Sequence, residues 1–186
     1  MSAQLEKRHF NVDEYYRMGR AGILKPDDRV ELIEGDIIRM SPIGSSHAAC
    51  VSRLDRLLQK ANAPKATIWV QNPVRLNDFS EPVPDIAVLK PRNDFYGKRH
   101  PTPVDVLLVI EVADTTILSD RNLKGVLYAQ AGIREFWLVN VRRKIIEVYF
   151  DPVDGRYRKS LEFRRREVVV SPSISALRLK VSDIVG

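Results

Sequence analysis

VDVLLVIEVA, residues 104–113, is the stretch on which the fold turns. Only Asp105 and Glu111 interrupt an otherwise apolar run, the pattern of a strand covered on both faces inside an α/β sheet. Downstream, SDRNLKGVLYAQA (119–131) predicts a helix with Ser119 or Asp120 near its cap and Gly132 past its end. Its expected apolar side is Leu123, Val126, Leu127 and Ala131. EFWLVNV and KIIEVYF follow as two strands about a basic turn, and residues 156–170 add alternating, heavily charged strand material. SISALRLKVSDIV closes the chain as a short packing element.

Upstream, DIAVL (85–89) reads as a short covered strand. ATIWVQNPVRL (66–76) reads as another, with Pro73 implying an edge position or a bulge. Between DIAVL and the deciding strand, residues 90–103 carry basic side chains, prolines and Gly97, the composition of a mobile surface loop. SSHAACVSRLDRLLQK (45–60) has an apolar helical face of Ala48, Val51, Leu54, Leu57 and Leu58, with Ser45 or Ser46 as cap. RVELIEGDIIRMSP predicts two short strands joined at Glu34–Gly35–Asp36. VDEYYRMGRAGIL (12–24) predicts a short helix ending near Gly22 and a Pro26–Asp27–Asp28 turn. Strands alternating with helices, without repeats or linkers, give one mixed α/β domain over residues 1–186.

Composition sets the outer limits. A chain of 186 residues with 44% hydrophobic and 29% charged residues can bury one real core and argues against wholesale disorder. No apolar run is long enough to cross a bilayer, and MSAQLEKRHF has no signal-peptide core, so a cytoplasmic protein is expected. Cys50 is the lone cysteine, which excludes an internal disulfide and an all-cysteine zinc cluster. The formal charge of +6 is unevenly spread: residues 134–186 hold 12 basic and 7 acidic residues, concentrated around RRK at 142–144 and RRR at 164–166. Such runs steer polyanions, although most are solvated faces.

Three carboxylates stand in apolar company: Glu34, Asp85 after Pro84, and Glu111. Each alone reads most simply as a strand-end group facing water, because burying a carboxylate costs free energy unless a cation or donors compensate. Two adjacent strands each bringing an acid to the same end make a stronger case for compensation by an arginine, backbone donors or a divalent cation, and of the cations magnesium suits oxygen donors better than zinc does. His9, His47 and His100 are scattered, with no zinc-ligand spacing. Lys124, on the helix after the deciding strand, can reach back to orient water or hold phosphoryl charge; alone it would be a solvated helix lysine. Gln71 is a polar neighbour of this group or a water-facing residue.

The ordered pieces ELIEGDIIRMSPIGSSHAACVSRLDRLL, PDIAV, LLVIEVAD, DRNLKGVLYAQAGIREFWLVN and IIEVY resemble the Uma-two (Uma2) family of restriction endonucleases in the PD-(D/E)xK nuclease superfamily. The resemblance spans about residues 12–184. It implies a restriction-endonuclease-like fold, a central mixed sheet flanked by helices. It also implies a magnesium-dependent hydrolase cleaving DNA phosphodiester bonds, with manganese as substitute. By the same resemblance Asp85 and Glu111 are metal ligands, Glu34 is a supporting acid and ligand, and Lys124 assists the attacking water or the transition state. Where the superfamily usually has a lysine two residues after the second acid, this chain has Ala113, and Lys124 stands in for it. Asn140 replaces an aspartate after the aromatic strand and is expected to act on a turn. His47 in SSHAAC is expected near phosphate or metal, or as a packed or capping residue; Asp114 and Asp120 are secondary candidates. A homodimer is expected from the chemistry of duplex cleavage, with Phe136, Trp137 and Tyr149 as surface or, for Trp137, core. The alternative is a non-catalytic nucleic-acid-binding or protein-interaction module on the same fold, and a third is hydrolysis of a smaller phosphorylated substrate.

Overall fold

The computed structural model describes residues 7–25, 27–61, 66–113 and 123–186. Residues 104–105 close a short 3-10 turn at Pro103–Asp105, and the deciding strand is β5, Val106–Ala113. It lies inside a six-stranded sheet of order β3 (Thr67–Val70), β4 (Ile86–Leu89), β5, β6 (Glu135–Asn140), β7 (Ile145–Val153), β8 (Arg156–Arg164). The β5–β6 pair is parallel and every other pair is antiparallel, so the sheet is mixed. A parallel step needs a crossover, and α3 (Gly125–Gln130) lies in that connection.

Side-chain alternation along β5 divides the core. Leu108, Ile110 and Val112 face α2 (Ser45–Ala61), meeting Cys50, Val51, Leu54 and Leu58. The same layer takes in Trp137 and α4 (Val181–Val185). Val109 and Ala113 face the other way, toward Leu127, Tyr128, Phe136 and Leu138. Glu111 shares that second face by parity.

The expected architecture, a mixed sheet with helices on both faces, is the one the chain forms. Several local expectations change. The first helix, α1 (Val12–Arg20), stops two residues before Gly22, which lies beyond it at φ 74°. Within the expected 119–131 helix, only Gly125–Gln130 is a regular α-helix among the described residues. Its buried residues are Gly125, Leu127, Tyr128 and Ala129, whereas Leu123 and Val126 are exposed. Ser119, Asp120 and Asp114 lie outside the described residues. Trp137 is a core residue, as expected of it; Phe136 is buried too rather than part of an apolar surface, and Tyr149 is partly buried beside Phe136. The 90–103 loop is pinned by Tyr96, 3% exposed, whose hydroxyl donates to the Lys90 carbonyl at 2.7 Å.

β1 (Val30–Ile33) and β2 (Asp36–Arg39) form a separate hairpin. Glu34 and Gly35 are its two loop residues, both at positive φ (50° and 82°), which is the twist a tight hairpin favours. A side chain at Gly35 would collide with His9, whose Cβ would lie 2.4 Å from it. Glu81 N–H donates to the Leu32 carbonyl at 2.8 Å, tying β1 beside the segment that leads into β4. The hairpin therefore overhangs the start of β4 and the end of β5.

Candidate active site

Asp85 immediately precedes β4, and the Ile86–Ile110 register puts it level with Glu111 on the neighbouring strand. Its backbone N–H points at Glu111 Oε2, 3.4 Å away. The Asp85 carboxylate is held on both oxygens. Oδ2 accepts from the Val112 N–H at 2.9 Å and lies 2.9 Å from His47 Nε2; Oδ1 accepts from Gln71 Nε2 at 3.3 Å. Gln71 reaches it because the chain turns at that residue, with φ 49°, where its own N–H donates to the Asp85 carbonyl at 3.0 Å.

Glu111, 4% exposed, has company that compensates its burial. Lys124 Nζ lies 3.2 Å from its Oε1, and the Tyr128 hydroxyl donates to the same oxygen at 2.7 Å. Lys124 and Tyr128 are four residues apart, the spacing that puts helical side chains on one face. Burial first, and then the Glu111 charge, hold the Tyr128 hydroxyl well above the ordinary tyrosine range, so it remains a donor.

The second partner of Lys124 is Glu31, at 3.3 Å. Glu31 sits on β1, is 5% exposed, and accepts from the Val83 N–H at 3.0 Å. Asp85, Glu111 and Lys124 thus come together as the sequence suggests, and Glu34 does not join them. It is an exposed residue at the hairpin tip, with its N–H donating to Ser80 Oγ at 2.9 Å. The turn that the motif itself encodes carries Glu34 away, and the acid beside Lys124 is Glu31, three residues earlier. Two signals pointed to Glu31: it alternates with Val30 and Leu32, and a two-residue turn places Glu34 outside the paired strands. Tyr128 went unnoticed because tyrosine in a short helix reads as core.

Glu31, His47, Asp85, Glu111 and Lys124 line a cleft of about 410 Å³, together with Arg29, Arg39, Met40 and residues 41–44. Its three carboxylates are matched in formal charge by the Lys124 ammonium and the Arg29 and Arg39 guanidiniums, and the carboxylates offer hard oxygen donors. Among the described residues no group of three or more histidine, cysteine, aspartate or glutamate side chains makes a ready metal cage. Asp85 and Glu111 fit a small hard cation that takes one or two carboxylates and completes its shell with water and phosphate oxygens. Asn140 does act on a turn, its Oδ1 accepting from the Arg143 N–H at 2.9 Å.

Residues 12–182 match the model of the Uma2 family, described as "Putative restriction endonuclease". No curated protein matches the chain. Among solved structures, the fold is similar to a putative nuclease belonging to DUF820 from Anabaena variabilis ATCC 29413. The TM-score is 0.73 at 21% identity, over 95% of this chain and 97% of that one. Among the described residues no helix is long and apolar enough to cross a membrane.

Proposed function

The chain belongs to the Uma2 family of putative restriction endonucleases, and from that premise we propose that it is a divalent-metal-dependent endonuclease hydrolysing DNA phosphodiester bonds. The observation that carries this reading is the meeting of Asp85 and Glu111 across adjacent strands, with Lys124 between Glu111 and Glu31.

Asp85 and Glu111 would hold magnesium, or manganese in its place, with Glu31 as the supporting acid. The ion when bound supplies Lewis acidity toward phosphate and a lowered pKa for water. The protein's own groups do the positioning. Val112 N–H, His47 and Gln71 fix the Asp85 carboxylate, and Tyr128 fixes that of Glu111. Lys124 brings a cation to the cleft, where it offsets charge developing on the phosphoryl oxygens or orients the attacking water. Cleavage of both strands of a duplex calls for two such sites, which a homodimer in the cytoplasm would supply.

The test is cleavage of varied DNA substrates with magnesium or manganese, comparing the parent with Asp85→Ala and Lys124→Ala. The parent should cut and both variants should lose activity. No cleavage across a broad substrate and metal screen, or an unimpaired D85A, would sink the assignment. The non-catalytic alternative predicts that Glu34, Asp85, Glu111 and Lys124 do not converge; Glu34 stands apart, whereas Asp85, Glu111 and Lys124 meet. That alternative also predicts intact binding in D85A with no cleavage by the parent.

A further inference from the structure

The two basic runs of the sequence are 22 residues apart along the chain, and the sheet brings them side by side. Asn140 pairs with Ile145, and Ile145 with Arg164. The β6–β7 turn carrying Arg142, Arg143 and Lys144 is therefore adjacent to the Arg164–Arg165–Arg166 corner. All six are exposed. Glu162 lies 3.2 Å from Arg164 Nε, Glu167 accepts from the Arg164 backbone N–H at 2.6 Å, and Lys144 Nζ donates to the Gly186 oxygen at 3.0 Å. Among the described residues no carboxylate pairs with the side chains of Arg143, Arg165 or Arg166.

Register fixes where this crest stands relative to the cleft. Glu111 is level with Leu138, Leu138 with Glu147, and Glu147 with Glu162. Continuing along β5 and β6 toward their C-terminal ends leads past Ala113 and Asn140 to the crest. It lies at the same end of the sheet as the cleft, one to three strands to the side. At about 4.8 Å per strand that is about 5–15 Å sideways, or up to about four base pairs at 3.4 Å each. On the opposite flank, Arg29 and Arg39 line the cleft itself.

We propose that the crest at 142–144 and 164–166 is a phosphate-binding footing for duplex DNA, gripping the backbone beside the segment presented to the cleft. Five of its six residues are arginines, whose planar forks suit phosphate oxygens. The crest supplies affinity and orientation without reading base sequence. This inference rests on the nuclease reading for its choice of polyanion.

The test compares two triple variants that remove equal charge. Arg143→Ser/Arg165→Ser/Arg166→Ser empties the crest; Arg156→Ser/Arg158→Ser/Lys159→Ser strips the far end of the same hairpin. Binding of a fluorescein-labelled 30-base-pair duplex is followed by anisotropy over a range of potassium chloride, without divalent metal. The crest variant should bind about tenfold more weakly or worse, with the salt slope reduced by about 2–3; the far-end variant should stay within about twofold of the parent. Hydrolysis of bis(p-nitrophenyl) phosphate, which is too small to reach the crest, should be unchanged in the crest variant. Equal losses in both triples, a crest variant binding like the parent, or no duplex binding by the parent would overturn the proposal. Crest-dependent binding with no hydrolysis of either substrate would leave the crest standing and overturn the nuclease reading instead.

Discussion

Glu111 and Glu135 are glutamates on the two parallel strands at the middle of one sheet, 4% and 0% exposed, and their surroundings use them differently. Glu135 opens β6 on the α2 side. It accepts from Trp137 Nε1 at 2.6 Å, Ser171 Oγ at 2.8 Å and the Ser173 N–H at 2.7 Å. These neutral donors tie β6 to the turn before β10 (Arg178–Lys180). Glu111 lies near the other end of its strand, on the other face, and keeps a lysine, a phenol and an open cleft. Burial alone therefore does not mark a carboxylate as functional. What sets Glu111 apart from Glu135 is the ammonium beside it and the cleft that it lines.

Lys124→Met tests that distinction hardest. It leaves Glu31 and Glu111 facing each other without their shared cation, and breaking a buried pair from one side costs about 3–5 kcal/mol. Urea unfolding should show that loss together with the loss of cleavage. Glu111→Gln separates the two properties. Cleavage should fall about 10²–10³-fold, the scale of a removed electrostatic group in a site, while the unfolding midpoint moves less than in Lys124→Met, because Glu31 still pairs with Lys124 and the amide oxygen can accept from Tyr128. An inactive Glu111→Gln that is also largely unfolded would erase the contrast with Glu135.

Glu135→Gln should give the opposite result. The amide can still accept at one oxygen, but it turns its NH₂ toward groups that are themselves donors. Each unsatisfied buried donor costs about 1–3 kcal/mol, so stability should drop by about that amount while cleavage per folded molecule is unchanged. A Glu135→Gln with wild-type stability and reduced cleavage would place function on the wrong glutamate.

The sequence shows one of these acids more readily than the other. Glu111 interrupts eight residues of strand that are otherwise apolar, so its incongruity is visible along the chain. Glu135 stands at a strand start after Gly132, Ile133 and Arg134, where a charged residue looks unremarkable; two of its donors come from 36 and 38 residues away. The sheet and its flanking helices were legible because β5, β6 and α2 carry strong periodicity. The third acid was legible only through backbone geometry: the Glu34–Gly35 turn that predicts the hairpin also excludes Glu34 from the site, and strand alternation then favours Glu31. Long-range partners such as Tyr128 on Glu111 have no local signature, because helix spacing says which residues share a face and not what that face meets. The convergence of the two basic runs likewise follows from register alone.

Each glutamate also acts on a tyrosine, which allows a gentler comparison. Tyr128 donates to Glu111, and Tyr157, whose hydroxyl donates to the Ile133 carbonyl at 2.9 Å, feels the charge of Glu135. Burial is the larger cause in both cases, and it raises both phenols above the ordinary value of 10.0. Below pH about 10 both folded and unfolded chains keep these protons. Above it the unfolded chain releases them while the folded chain holds them, so stability is lost as pH rises toward the folded values. The expected slope is about 1.4 kcal/mol per pH unit for each such tyrosine. Tyr128→Phe and Tyr157→Phe should each flatten the alkaline limb of a stability–pH curve by one proton's worth. At neutral pH only Tyr128→Phe should lower cleavage, by less than about tenfold, since it removes one hydrogen bond to Glu111 Oε1, worth about 0.5–1.5 kcal/mol. Equal effects of the two substitutions on cleavage would mean that Glu111 is held no more functionally than Glu135.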